Sequence, residues 1–229
     1  SARAKALLAR AYQEPAGSEG PAREALEIAE KLGDIELRSF ALDALAGAAM
    51  ARGDYDEGVE WSRKRLELVP QLTDPDHIAL VFGYSLSSFI YVGRLDEARE
   101  IARRYDEVTG TLSPHHRVHA AFEHVYVESS AGRWDAVAAL TGRAESAVAA
   151  KADTPCALDV VVLLDCALAH VYLGAAGEAR RLEQSAADLR MEGYGVLSPR
   201  IELASAIARG DLTEVERLLG TWSPAGLDD

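Results

Sequence analysis

The sequence predicts an all-α chain, a single domain over residues 1–229 made of about six stacked helical hairpins. Two sets of markers carry that reading. Gly53, Gly93, Gly132, Gly174 and Gly210 recur in a shared context at spacings of 40, 39, 42 and 36 residues. The pairs Asp74-Pro75, Ser113-Pro114, Thr154-Pro155 and Ser198-Pro199 each put an N-cap residue before a proline at the first helical position. Proline and glycine are 18, 18, 19 and finally 11 residues apart, so a first helix of about five turns joins them and the last one is short.

Each element follows from these markers. Residues 2–12 and 21–32 read as helices around a loop from Gln13 to Gly20, rich in Gly, Pro and Ser. The later hairpins span roughly 35–69, 75–109, 114–149, 155–191 and 199–219, the first being 2–32. At each turn glycine the first helix must stop and reverse within a few residues, and a left-handed backbone there is cheap only for glycine. Small residues follow at Gly58, Ala98 and Ala179, where two antiparallel helices cross closely. Tyr55, Leu95, Trp134 and Leu212, two residues after their glycines, are expected to fill the wedge of their own hairpin. Ala176 breaks that pattern, and a looser turn is expected there. The first helices are apolar nearly all round, as in Val160-Val161-Val162-Leu163-Leu164, and belong inside. The second helices are amphipathic and charged, as in Trp61 to Leu68, and belong outside.

The 229 residues carry 24 Lys+Arg and 37 Asp+Glu, a formal net charge of −13. That balance argues against a sequence-independent grip on nucleic acid, which needs a basic surface. Apolar residues are 48%, ample for a folded core. The start, residues 1–10, has no long apolar stretch and does not read as a signal peptide. The longest uncharged run, residues 78–93, is shorter than the roughly 18–20 residues that cross a bilayer, so no membrane partner is expected. Cys156 and Cys166 are ten residues apart, about 15 Å along a helix, too far to pair. Two lone thiols suit a cytoplasmic protein. Cys166 reads as core; Cys156, near a helix start, is read as packing with a lowered thiol pKa as the alternative.

Gly53-Asp54-Tyr55-Asp56-Glu57-Gly58-Val59-Glu60-Trp61, running on to Leu66-Glu67-Leu68-Val69-Pro70, resembles a tetratricopeptide repeat. It has the turn glycine, the aromatic two later, the small residue at the crossing and the closing proline. The other units match more loosely, and together they cover almost the whole chain. The period near 40 and the junction Glu27 to Asp34 resemble the variant repeats of large bacterial multidomain regulators, such as ATP-binding transcription activators and signalling cyclases. The resemblance implies a right-handed α-α superhelix whose concave surface, built by the first helices, takes a peptide or partner helix. Counting back from each turn glycine, the positions expected on that surface are Phe40, Asp43 and Gly47; Leu80, Gly83 and Ser87; His119, Phe122 and Tyr126; Val161, Leu164 and Leu168. Peptide-carboxylate clamps of this family use Lys, Arg and Asn at such places. Asp43, Gly83 and Phe122 stand here instead, which points to a largely apolar groove. Asp43 is the residue that could orient a basic group of a partner. For each position, plain core packing is the competing reading.

Chemistry-bearing motifs are sparse. Residues 113–124 hold the one dense set of metal-ligand types. His115 and His119 share a helix face four residues apart and could bind zinc if a third ligand arrives from elsewhere. The spacing does not match His-Glu-x-x-His, and histidines near a helix start more often collect adventitious nickel or zinc. No physiological metal and no cofactor are expected. Asp159 and Asp165 lie in the most apolar helix, where a carboxylate needs an Arg or a backbone cap. There is no phosphate loop, dinucleotide fingerprint or nucleophile elbow. The expectation is a non-enzymatic interaction module of a bacterial signalling or transcriptional regulator. The alternative is a small-molecule or peptide sensor that changes superhelix shape. Uncapped terminal repeats would also permit a homodimer.

Overall fold

The computed structural model describes residues 1–13, 17–110, 112–150, 156–189 and 199–221. Among these the secondary structure is helical, with no strand. Contacts divide the chain into two compact units, Ser1–Leu112 and Ser113–Asp229.

The first unit holds α1 (Ala2–Gln13), α2 (Glu19–Leu32), α3 (Ile35–Ala51), α4 (Tyr55–Leu66), a 3-10 turn (Val69–Gln71), α5 (Pro75–Tyr91) and α6 (Leu95–Thr109). Asp34, Asp54 and Asp74 cap α3, α4 and α5 through their side chains, which accept from Leu37, Glu57 and Asp76 N–H. Helix α3 packs against α1, α2, α4 and α5, and most of its residues from Leu37 to Ala49 are buried. Its neighbours turn narrow alanine stripes inward: Ala4, Leu8 and Ala11 on α1, and Ala22, Ala25 and Ala29 on α2. Small side chains let the helix axes approach closely. A Cβ on Gly58 would run into the end of the Met50 side chain, as expected for the crossing of α3 and α4.

The second unit holds α7 (Pro114–Ser130), α8 (Trp134–Ala139), α9 (Thr141–Ala149), α10 (Ala157–Tyr172), α11 (Ala176–Asp188), α12 (Pro199–Arg209) and α13 (Leu212–Thr221). The expected second helix of 114–149 is interrupted at Leu140, whose N–H bonds back to the carbonyls of Val137 and Ala138. Thr141 and Gly142, both poor helix formers, follow directly. Helix α10 is buried without a break from Val161 to Ala169. The helix start at Pro155 and the caps Thr154 and Ser198 lie outside the described residues.

The turn glycines behave as the repeat requires. Gly53, Gly93, Gly132, Gly174 and Gly210 all have φ between 67° and 77°, and Gly33 joins them at 63°. Each closes the same double hydrogen bond: Gly53 N–H to Met50 O and Asp54 N–H to Ala49 O in one unit, Gly174 N–H to Val171 O and Ala175 N–H to His170 O in the other. The turn before Ala176 is therefore no looser than the rest. The wedge expectation is also corrected. Tyr55 and Leu212 are exposed, and Tyr55 leans on Tyr91 of the next first helix, ring centroids 6.5 Å apart. Trp134 likewise stacks on Tyr172 at 4.4 Å. These aromatics tie a turn to the following hairpin; Leu95 and Trp134 stay half-buried, and Trp134 also packs on the core cluster that includes Val125 and Val137 of its own hairpin.

Candidate partner-binding groove

A groove of about 530 Å³ lies in the first unit, walled by α3 and α5 and closed at one end by Ala11 and Tyr12 of α1. Phe40, Asp43 and Gly47 line it from α3, three and four residues apart and so on one helix face. Leu80 and Ser87 line it from α5, joined by Tyr84 and Tyr91. These four recur at helical spacing along the exposed face of α5. Gly83 is half-buried beside that face and does not line the groove. Tyr84 and Tyr91 are 61% and 62% exposed, an unusual load of aromatic surface in water. Both could have been found by continuing the α5 spacing past Leu80. Tyr12 carries no such signal, because only the tertiary fold brings α1 to α3.

Beneath the groove floor lies a polar network. The Tyr12 hydroxyl reaches Asp43 Oδ2 at 2.9 Å and Phe40 O at 3.2 Å. Asp43 Oδ1 accepts from Arg65 Nη1 of α4. Arg65 is 1% exposed; its Nε donates to Ser39 Oγ at 3.3 Å, and its guanidinium lies over the Tyr84 ring at 5.9 Å. Ser39 Oγ also meets His77 Nε2 at 3.0 Å, and the His77 ring stacks on Phe40 at 4.4 Å. Burial, then the Asp43 charge, raises the Tyr12 hydroxyl well above the usual phenol range. Burial first, and then Arg65, lowers the His77 pKa below the ordinary histidine value. Asp43 is thus engaged by its own chain and not available to orient a basic partner group. Arg65, read from sequence as part of a charged outer face, is an internal residue.

The second unit distributes its residues differently. Phe122 and Tyr126 stack on each other, centroids 5.5 Å apart and planes within 10°. Leu164 and Leu168, expected on the concave wall, belong to the core. They are 6% and 5% exposed and share a cluster with Val161, Leu182 of α11 and Ile201 of α12. The short last hairpin packs α12 against α10 and covers them. Leu164 also touches a smaller, charged cleft shared with Glu183, Glu202 and Arg209.

His119 is drawn to another cluster. His115 and His119 sit one turn apart with ring centroids at 4.5 Å, and Cys156 Sγ lies 3.5 Å from His119 Nε2. Cys156 is the N-cap of α10, so the third ligand type comes from a separate hairpin. Asp159 supplies the anticipated cap, accepting from Cys156 N–H at 3.1 Å. Asp165 is 2% exposed. Burial pushes its carboxyl up to about 6, against the opposing pull of Arg200. Glu123 of α7 is pushed up to about 8 by burial alone. Cys166 is core, and burial raises its thiol to about 12.

Among the described residues, no helix is long and apolar enough to cross a membrane. No family model matches the chain, and no curated protein matches it. Solved structures do. The crystal structure of BtubC (BKLC) from P. vanneervenii superposes with a TM-score of 0.65 at 14% identity, over 96% of this chain and 94% of that one. At such identity the likeness is one of fold.

Proposed function

We propose that the chain is a non-enzymatic, tetratricopeptide-like interaction module of a right-handed helical-repeat superhelix. Its first unit receives an apolar peptide or partner helix in the groove between α3 and α5. The observation that carries this reading is the row Leu80, Tyr84 and Tyr91 facing Phe40 across an open channel. Large side chains left in water along one helix face are the usual mark of a docking surface. A rigid polar network under the floor supports the reading, because it holds Tyr12 and α3 in register before a partner arrives. An open channel suits a chain segment better than an enclosed small molecule.

The test is a displayed library of helical and extended peptides selected on the full chain, followed by affinity measurement on variants. Tyr84→Ala and Leu80→Ala should each weaken selected binders by about 10-fold or more, as expected for central apolar contacts. Tyr172→Ala, an exposed aromatic of the second unit, should leave them unchanged. Binders indifferent to both groove substitutions, or no binder at all, would reject the groove.

A further inference from the structure

We propose that His115, His119 and Cys156 form a transition-metal site that takes one Zn²⁺, tying the start of α7 to the N-terminus of α10. The three potential ligand atoms lie within 4.8 Å of one another, and each residue is half-buried. Two imidazoles and a thiolate are a borderline-soft set that suits zinc over magnesium or calcium. The geometry is close to what an ion needs. With Zn–N near 2.0 Å and Zn–S near 2.3 Å, the edge of a tetrahedron between them is about 3.5 Å. Cys156 Sγ and His119 Nε2 are 3.5 Å apart. The two histidines are four residues apart on one helix face, so small rotations about χ1 and χ2 bring their nitrogens to a common point.

Two features distinguish the cluster from chance histidines on a surface. The thiol arrives from a different hairpin, on a helix that packs directly against α7. Its backbone is also fixed: Cys156 N–H donates to Asp159 Oδ2, and Asp159 N–H donates back to Cys156 O at 3.1 Å. Binding releases the Cys156 thiol proton to solvent, so affinity rises with pH. Three protein ligands leave a fourth position for water or for a side chain of a bound partner. The site lies in the second unit and does not depend on the groove reading.

The experiment uses the untagged full chain, stripped with chelator and titrated with Co²⁺ and then Zn²⁺. One equivalent of Co²⁺ should give a thiolate-to-metal charge-transfer band in the near ultraviolet and the intense visible bands of a four-coordinate ion. Zn²⁺ should displace it and raise Tm. Cys156→Ser should abolish the near-ultraviolet band and weaken Zn²⁺ binding by more than about 100-fold, beyond what loss of a supporting residue costs. Serine is a good N-cap, so this variant should keep the helical signal. His119→Gln should weaken binding to the same degree, and His124→Gln should not. Pale six-coordinate spectra, or uptake unchanged by Cys156→Ser, would show adventitious binding and overturn the site.

Discussion

In the first unit, the buried guanidinium of Arg65 meets Asp43, Ser39 and the face of Tyr84, with Tyr12 and His77 closing the network. In the second, Glu123 and Asp165 are buried, and one oxygen of each has no hydrogen-bond partner among the described residues. Both units use the same glycine turns and the same alternation of buried and amphipathic helices. They differ in what they do with charge. The first unit pairs its buried guanidinium with Asp43 and Ser39 and leaves, of that group, only Arg65 Nη2 without a hydrogen-bond partner among the described residues. Burial drives the second unit's carboxyls toward the neutral form, up to about 8 for Glu123 and, against the pull of Arg200, about 6 for Asp165. The first arrangement sits under an exposed groove and fixes its floor; the second lies within helices whose neighbours cover them.

Removing one partner of the buried pair has the largest consequence. Asp43→Ala leaves Arg65 buried without its carboxylate and takes from Tyr12 the shorter of its two acceptors. Such a change costs about 3–5 kcal/mol. The double variant Asp43→Ala/Arg65→Met should recover most of that loss, since an apolar side chain of similar length needs no partner. Urea unfolding midpoints of the two variants check this. A double variant no more stable than the single one would mean that the network is not a paired-charge device.

The second unit should respond in the opposite sense. Glu123 carries a folded pKa above its unfolded value of 4.5, so the native state binds the extra proton. Stability from this group is fully present below pH 4.5 and is lost as pH rises toward 8. Glu123→Gln removes the penalty. It should stabilise the protein by about 2–4 kcal/mol at pH 8.5 and leave it nearly unchanged at pH 4.5. Equal effects at both pH values would show that the carboxylate finds water or a cation.

Much of the fold was readable in the sequence, because glycine and proline act through the backbone and need no tertiary context. The end of α3, both ends of α5 and the start of α6 follow from Gly53, Pro75 and Gly93 alone. The groove was half readable. Phe40, Asp43, Gly47, Leu80 and Ser87 fall on faces that helical spacing defines. Leu164 and Leu168 obey the same spacing but are covered by α12, and no local pattern reports what covers a face. Arg65 was misread for a similar reason. In Trp61-Ser62-Arg63-Lys64-Arg65 the charges look like one solvated face, whereas Ser62 and Arg65, three apart, turn inward onto Ser88 and Asp43. Cys156 meets His119 across 37 residues, a proximity that only the packing of α7 on α10 creates.

His77 of the first unit and the buried carboxyls of the second respond to pH in opposite directions. His77 is buried beside Arg65, with Asp43, Glu36 and Asp74 as its acidic neighbours, and the balance lowers its pKa. The unfolded chain therefore takes up its proton first. His77 costs stability as pH falls through the ordinary histidine value of 6.5, while Glu123 and Asp165 gain stability over the same fall. The two slopes oppose each other in the wild-type protein. His77→Phe keeps the stack on Phe40 and leaves Ser39 Oγ to Arg65, so it removes the histidine slope alone. Between pH 7.5 and 5.5 this variant should gain more stability than the wild type, read from unfolding midpoints at fixed ionic strength. Parallel pH profiles would mean that the folded protein accepts a proton on His77 as readily as the unfolded chain does, and the network beneath the groove would then have to tolerate two adjacent cations.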